Sequence, residues 1–175
     1  MLRNYGFLIL VNLKKLIFKG CFLLKTYKQK AYNNNTYLFM DIVIDFDGTV
    51  VTHDYPRVGK DIGAVPVLKK LVAAGHNLIL FTMRCDGILP GNGDKEVTFL
   101  TDAVNWFNDN EIPLYGVQIN PSQHEWTTSS KAYGQLIIDD AAAGCPMSYD
   151  PLLSRRQFIN WTRMEEILRL KLLIK

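Results

Sequence analysis

The chain has 175 residues, of which 48% are hydrophobic, and a formal net charge of +3 at pH 7. That length allows one sizeable hydrophobic core and is short for two full domains. The three cysteines, Cys21, Cys85 and Cys145, lack the spacing of a metal site, and their odd number argues against a disulfide framework. We therefore expect a reducing, cytoplasmic setting for the protein.

The basic residues are concentrated at the start of the chain. Residues 1–39 hold seven Lys or Arg and no Asp or Glu, which leaves 13 of the 20 basic residues against all 17 acidic ones in the remainder. Residues 40–175 are therefore acidic, with a net charge of −4. An acidic body does not offer the basic surface that nucleic-acid binding requires.

Residues 1–39 form a basic N-terminal extension, and two interpretations of it stay open. Its longest apolar run, Phe7–Val11, is far shorter than the ~20 residues of a membrane span, and lysines interrupt any signal-peptide pattern. The segment either lies on an anionic membrane surface or is a disordered stretch outside the working protein, which would then start at Met40. In both cases we expect the working domain at residues 40–175.

The first motif follows a short apolar run rich in β-branched residues, Ile42–Ile44, which predicts a strand buried on both faces. Asp45 and Asp47 come next, and Gly48 then breaks the pattern. Because ligands of open α/β sheets bind at the carboxyl ends of the strands, two acids at this place indicate a functional site. The alternative is a solvated Asp-Gly turn, but the full pattern Asp-x-Asp-Gly-Thr favours a site.

The next elements predict a parallel sheet. After a polar loop at Thr52–Lys60, apolar residues recur at helical spacing over Ala64–Val72, and Gly75 ends that helix. A second buried strand is expected at Asn77–Arg84, with polar groups at its end. The order strand, helix, strand requires a right-handed crossover and parallel pairing.

The rest of the chain is expected to contain a flexible loop, a second helix, a short strand and an apolar strand that ends in two acids, at Cys85–Asp94, Val97–Phe107, Tyr115–Ile119 and Leu136–Asp140 respectively. A closing helix follows, and Thr162 with Glu165 matches the capping-box pattern at its start.

Four motifs of this sequence, in this order, resemble those of the haloacid dehalogenase (HAD) superfamily of phosphohydrolases: Asp45-Phe46-Asp47-Gly48-Thr49, Phe81-Thr82, Lys131, and the strand that ends in Asp139-Asp140. The loop at Tyr55-Pro56-Arg57 also resembles a small bacterial and phage branch of that superfamily. The resemblance covers about residues 40–150. It implies an α/β three-layer sandwich with a mainly parallel, Rossmann-like sheet and without a separate cap domain.

The resemblance also implies a role for each motif residue. Asp45 would attack phosphorus and form an aspartyl-phosphate, and Asp47 would protonate the leaving group and then activate water. Gly48, Thr82 and Lys131 would bind the phosphate. Two interpretations of Arg84 stay open: a substrate contact or a surface charge. His53 and His124 are expected to be loop residues rather than ligands.

A metal ion follows from electrostatics. A phosphate near several carboxylates meets a repulsion of roughly 4 kcal/mol per pair of charges at ~4 Å and an effective dielectric of ~20. An all-oxygen site fits Mg²⁺ better than zinc. The expected ligands are the Asp45 carboxylate, the main-chain carbonyl of Asp47, and Asp140, with Asp139 either a further ligand or a neighbour of the ligands.

The function predicted from these motifs is a Mg²⁺-dependent phosphomonoester hydrolase that acts on a small molecule or a macromolecule. Asp47 favours phosphate esters over carbon-halogen bonds, because a halide leaving group needs no acid. An open site without a cap could be covered by a neighbouring subunit in a homo-oligomer. The alternatives are a non-catalytic or regulatory protein of the same fold, and a membrane-surface accessory protein that uses the basic N-terminal segment.

Overall fold

The computed structural model describes residues 39–175, and the expectations for the N-terminal extension lie outside them. Within residues 39–175 the fold is α/β, with a four-stranded parallel sheet and three α-helices. The sheet strands are β1 Asp41–Ile44, β2 Asn77–Leu80, β5 Gly116–Val117 and β6 Leu136–Ile138. The helices are α1 Ala64–Ala73, α2 Phe99–Asp109 and α3 Trp161–Leu170. Two antiparallel pairs complete the strands described: β3 Asp86–Ile88 with β4 Glu96–Thr98, and β7 Met147–Ser148 with β8 Phe158–Ile159.

The strand order in the parallel sheet is β5-β2-β1-β6. The chain therefore leaves β1 in one direction, through β2 to β5, and then returns past β1 to form β6 on its other side. Reversal of this kind opens a crevice at the carboxyl ends of the two strands that flank it. In this protein those strands are β1 and β6.

The main core lies between one face of the sheet and the helices. Side chains at alternate strand positions, including Ile42, Ile44 and Leu80, pack with buried residues of all three helices. Val43 and Ile79 face the other way and pack with Ala132, which belongs to the connection from β5 to β6. A helical layer on that second face, as in a three-layer sandwich, stays a prediction.

The final helix also shapes the motif after β1. The Trp161 indole nitrogen donates to the carbonyl of Thr49 at 2.7 Å, and the Ile159 amide donates to the carbonyl of Gly48 at 2.8 Å. Because Trp161 and Ile159 are both buried, these hydrogen bonds are shielded from water. The turn after the first strand is therefore held by a segment more than a hundred residues later in the chain.

Most of the predicted elements are confirmed, with bounds that differ by a few residues. The expected strand at Asn77–Arg84 ends at Leu80, and the loop expected at Cys85–Asp94 contains the strand β3. The predicted capping box is wrong: the cap of α3 is Asn160, whose side chain accepts a hydrogen bond from the Arg163 amide. Among residues 39–175, no helix has both the length and the apolar character needed to span a membrane.

Candidate functional site

Three carboxylates meet at the crevice between β1 and β6. Asp45 follows β1, and Asp139 and Asp140 follow β6, which pairs with β1 in parallel. The Asp45 amide continues this pairing by donating to the carbonyl of Ile138 at 3.0 Å. One carboxylate oxygen from each of the three acids lies within 4.8 Å of the others. The predicted convergence of the first and last motifs is therefore present in the structure.

Asp45 has a strongly perturbed acidity. Burial raises the pKa of its carboxyl to about 7, and the negative charges of Asp139 and Asp140 act in the same direction. Hydrogen bonds from the Phe46 amide and the Thr49 hydroxyl oppose that rise. Burial disfavours the charged carboxylate because the protein solvates it less well than water does. A cation at this cluster would reverse the effect and keep Asp45 ionised near neutral pH.

Thr49 connects the first and last motifs directly. Its hydroxyl donates to Oδ2 of Asp45 at 3.1 Å and accepts a hydrogen bond from the Asp140 amide at 2.9 Å. The hydroxyl is fully buried, so neither bond competes with water. Thr49 thus fixes the spacing between the carboxylate that follows β1 and the backbone that follows β6.

Gly48 lies where no side chain fits. Its φ is +81°, and a Cβ at this position would stand 2.1 Å from Nε2 of His53 and 2.7 Å from Oδ2 of Asp140. Glycine adopts positive φ without the steric cost that other residues meet. Its amide donates to the carbonyl of Val51 at 2.7 Å, so this donor serves the turn. Phosphate binding by Gly48 stays a prediction.

His53 approaches the cluster from the loop after the first motif. Its Nε2 lies 2.9 Å from Oδ2 of Asp140, and 15% of its side chain is exposed. The sequence alone predicts a loop residue at this position rather than a ligand. It does lie in a loop, but it is bound to one of the three acids. His124, in contrast, is exposed on the short 3₁₀ helix Gln123–Glu125.

Arg84 forms a two-pronged ion pair with Asp47. The guanidinium Nε donates to Oδ2 of Asp47 at 2.7 Å, and Nη2 donates to Oδ1 at the same distance. Arg84 is only 1% exposed, so its interpretation as a surface charge is wrong. Each oxygen of the expected general acid thus accepts one hydrogen bond from Arg84.

Thr82 lies at the end of β2, beside the motif that follows β1. The Phe81 amide donates to the carbonyl of Ile44 at 2.9 Å, which brings the two strand ends together. The Thr82 hydroxyl accepts a hydrogen bond from the Arg84 amide at 3.3 Å, and its amide donates to Oε1 of Gln118 at 3.1 Å. The side-chain amide of Gln118 also donates to the carbonyls of Thr82 and Arg84. Gln118 therefore holds the segment that carries Thr82, a role not predicted from the sequence.

Lys131 is exposed and lies in the connection that precedes β6. Its carbonyl accepts a hydrogen bond from the buried side chain of Gln123 at 3.0 Å. Lys131 lines a surface cavity with Ser129 and Tyr133, and among residues 39–175 it makes no ion pair with an acid. Within the described part of the chain no hydrogen bond or ion pair joins Lys131 to the cluster, so its role in phosphate binding stays a prediction.

The donor set of the cluster suits a hard cation. Asp45, Asp139 and Asp140 offer only oxygen ligands, and no cysteine or histidine belongs to the set. Oxygen ligands with room for water are typical of magnesium and calcium, whereas zinc sites use nitrogen and sulfur more often. The three residues therefore fit a divalent cation that prefers oxygen ligands.

The comparisons with known proteins support the fold and name no activity. No family model matches the chain, and no curated protein matches it either. A solved structure of a conserved protein coded by a locus of Bacteroides thetaiotaomicron is similar, with 29% sequence identity and a TM-score of 0.55. The match covers 76% of this chain and 92% of that one. The chain thus shares a fold with a bacterial protein, and its chemistry has to be argued from its own residues.

Proposed function

We propose that the protein is a Mg²⁺-dependent phosphomonoester hydrolase of the HAD superfamily, with that superfamily's Rossmann-like, three-layer core. One observation carries the proposal: Asp45 of the Asp-x-Asp-Gly-Thr motif lies within reach of Asp139 and Asp140 at the crevice between β1 and β6. A nucleophile and a cation site formed by these acids would lie where open α/β sheets bind ligands. The order of the motifs in the sequence supports the same proposal.

The metal would be held by the carboxylates of Asp45 and Asp140 and by the main-chain carbonyl of Asp47. Asp139 would either be a further ligand or contact the ligands. When bound, the ion neutralises phosphate oxygens and favours the ionised form of Asp45. That second effect matters here because burial raises the pKa of Asp45 to about 7 in the metal-free protein. A carboxyl that is half protonated is a poor nucleophile.

The chain's own residues would then divide the work of phosphoryl transfer. Asp45 attacks phosphorus, and Asp47 gives a proton to the leaving oxygen and later takes one from water. Thr82 donates its hydroxyl to a phosphate oxygen, and Lys131 adds positive charge to the transferring group. The substrate is a phosphorylated small molecule or macromolecule. A cytoplasmic location and a homo-oligomeric state are further proposals, and Cys85 and Cys145 are free thiols.

A second candidate is a phosphate-binding protein of the same fold without catalysis. The observation that favours it is the ion pair of Asp47, because both oxygens of this carboxylate already accept hydrogen bonds from Arg84. A general acid must instead carry a proton and present it to the leaving group. The two candidates differ in turnover, which the binding protein would lack.

The deciding experiment is a screen of the full chain against a panel of phosphomonoesters, with Mg²⁺ and with a chelator. We expect hydrolysis of an aryl phosphate that Mg²⁺ restores after chelation and that Asp45→Asn abolishes. Hydrolysis that the chelator leaves unchanged would exclude the metal role. Turnover of a haloacid without any phosphatase activity would overturn the reaction class. Phosphate binding without turnover would favour the second candidate.

A further inference from the structure

Arg84 is a charged side chain in the interior of the protein. It is 1% exposed and lies four residues after the end of β2. Removing an isolated charge from water costs several kcal/mol, and a buried guanidinium therefore needs a charge partner and acceptors for its N–H groups. The partners of the guanidinium therefore indicate the structural role of this buried charge.

The partners of Arg84 come from two other segments. Asp47 of the first motif binds Nε and Nη2 through its two oxygens, each at 2.7 Å. The remaining donors reach the loop after that motif: Nη1 donates to the carbonyl of Pro56 at 3.1 Å, and Nη2 donates to the carbonyl of Arg57 at 2.7 Å. One guanidinium thus binds the candidate general acid and the adjacent turn at the same time.

Aromatic rings enclose the same guanidinium. Its central carbon lies 5.0 Å from the ring centre of Phe46 and 5.4 Å from that of Tyr55. Phe46 is fully buried, whereas Tyr55 is 55% exposed. Tyr55 also contacts Phe99 edge to face, with 5.2 Å between ring centres. Stacking against rings limits rotation of the guanidinium plane and adds cation–π attraction.

We propose that Arg84 is a positioning residue that fixes Asp47 and the Tyr55–Arg57 turn as one unit. The proposal rests on the proposed function, because it concerns the carboxylate that serves the leaving group. The carboxylate plane of Asp47 is set by the guanidinium, which leaves one lone pair on each oxygen for a proton or a leaving group. The same guanidinium joins the turn to Asp47, so a change at Arg84 should displace both.

The proposal predicts that lysine cannot replace Arg84. A lysine keeps the positive charge but presents a compact ammonium instead of a planar fork, so it cannot bind both oxygens of Asp47 and two carbonyls together. Arg84→Lys should therefore release the turn and misplace Asp47. A misplacement of about 1 Å at a catalytic group can reduce kcat by on the order of 10²-fold.

The first arm of the test needs no substrate. Hydrogen exchange is measured over residues 52–60 of the full chain for the wild type, Arg84→Lys and Asp47→Asn, with Arg169→Lys as the control. Arg169 makes an exposed ion pair with Glu165 on α3 and is a matched arginine away from the turn. We expect faster exchange in this segment for Arg84→Lys and for Asp47→Asn, and unchanged exchange for the Arg169→Lys control. If Arg84→Lys does not fold, Asp47→Asn decides this arm. Unchanged exchange in the folded variants overturns the proposal.

The second arm is a double-mutant cycle on an alkyl phosphate. If Arg84 acts through Asp47, Arg84→Lys lowers kcat by on the order of 10- to 100-fold in the wild type and has little further effect in Asp47→Asn. Losses in kcat that multiply in the double variant would overturn the proposal, because Arg84 would then act independently of Asp47. If the wild type shows no hydrolysis, the proposed function fails, and the exchange measurement alone decides the role of Arg84.

Discussion

Nε2 of His53 lies 2.9 Å from Oδ2 of Asp140, although the two residues are 87 positions apart in the sequence. The contact joins the loop after the first motif to the acids after β6, across the side of the site where Gly48 has no side chain. A hydrogen bond to one oxygen of a metal-binding carboxylate fixes the direction in which the other oxygen points. His53 is therefore well placed to orient Asp140.

The first prediction concerns the role of His53. His53→Ala should weaken Mg²⁺ binding by about 10- to 100-fold, because partners that orient metal ligands typically contribute that much. The measurement is the rise of the melting temperature as Mg²⁺ is added. His124→Ala is the control, since His124 is exposed on the 3₁₀ helix. Equal Mg²⁺ responses in the two variants would show that Asp140 needs no support from His53.

The second prediction uses the lack of space at Gly48. A methyl group there would stand 2.1 Å from Nε2 of His53, and φ is +81°, so Gly48→Ala should lower stability and Mg²⁺ affinity together. The double variant Gly48→Ala/His53→Ala should recover part of the lost Mg²⁺ response, because the clashing ring is gone. Gly93→Ala is the control: its φ is also positive, but an added Cβ meets no atom within 4 Å. An equal loss of stability and Mg²⁺ affinity in Gly48→Ala and Gly93→Ala would attribute the effect to backbone strain alone.

The third prediction tests the observed cap of α3. Asn160→Ala should destabilise the protein by about 1 kcal/mol, because the side chain accepts the Arg163 amide at the start of the helix. Thr162→Ala should have a much smaller effect, since Thr162 is the second residue of the helix and not its cap. Chemical unfolding of the two variants measures the difference. A larger loss for Thr162→Ala would restore the capping box expected from the sequence.

The parallel sheet could be predicted because its signals are local. Ile42–Ile44 and Leu78–Leu80 are continuous apolar runs, and one helix lies between them in the sequence, which constrains the topology. The cap of α3 could not be assigned from pattern alone, since Asn160, Thr162 and Glu165 all match cap positions of helices with different starting points. The start is decided by Trp161, which is buried against the motif turn. That contact between distant residues has no local signal.

Some residues of the candidate site could likewise be predicted from the sequence, and others could not. The acids could be placed because each follows an apolar strand, and the strand order brings Asp45 beside Asp139. Arg84 and His53 could not be placed, since their partners lie 37 and 87 residues away and no periodic pattern joins them. A charged residue at the end of an expected buried strand was the available signal for Arg84. It did not show whether the guanidinium points inward or outward.

The fourth prediction concerns pH. The pKa of Asp45 is raised from 3.8 to about 7 by burial, so the folded metal-free protein holds a proton that the unfolded chain loses at lower pH. This contribution to stability is fully present below the unfolded pKa and is lost as pH rises through about 7. The chelated wild type should therefore lose more stability than Asp45→Asn between about pH 4 and pH 8.

Added Mg²⁺ should act in the opposite direction, because it binds the ionised cluster. Its stabilisation of the wild type should be larger at about pH 8 than at about pH 5. At the higher pH Asp45 is mostly ionised already, so Mg²⁺ has to displace its proton in a smaller fraction of molecules. Thermal melts with chelator and with Mg²⁺ at both pH values measure the two effects. A Mg²⁺ response that is independent of pH would contradict the assignment of Asp45 as a buried ligand.

The last prediction separates Asp45 from Asp47, which lie two residues apart but have different partners. Asp45→Asn removes the nucleophile, so no phosphoryl-enzyme should form and turnover should fall by several orders of magnitude. Asp47→Asn keeps the nucleophile and the main-chain carbonyl, and it loses proton transfer, which commonly contributes ~10²- to 10⁴-fold. The deficit of Asp47→Asn should shrink for an aryl phosphate relative to an alkyl phosphate, because a good leaving group needs less help from an acid. The rates of both variants on both esters, with mass spectrometry of acid-quenched enzyme, measure these effects. An adduct on Asp47, or near-normal turnover by Asp45→Asn, would show that the two roles are assigned to the wrong residues.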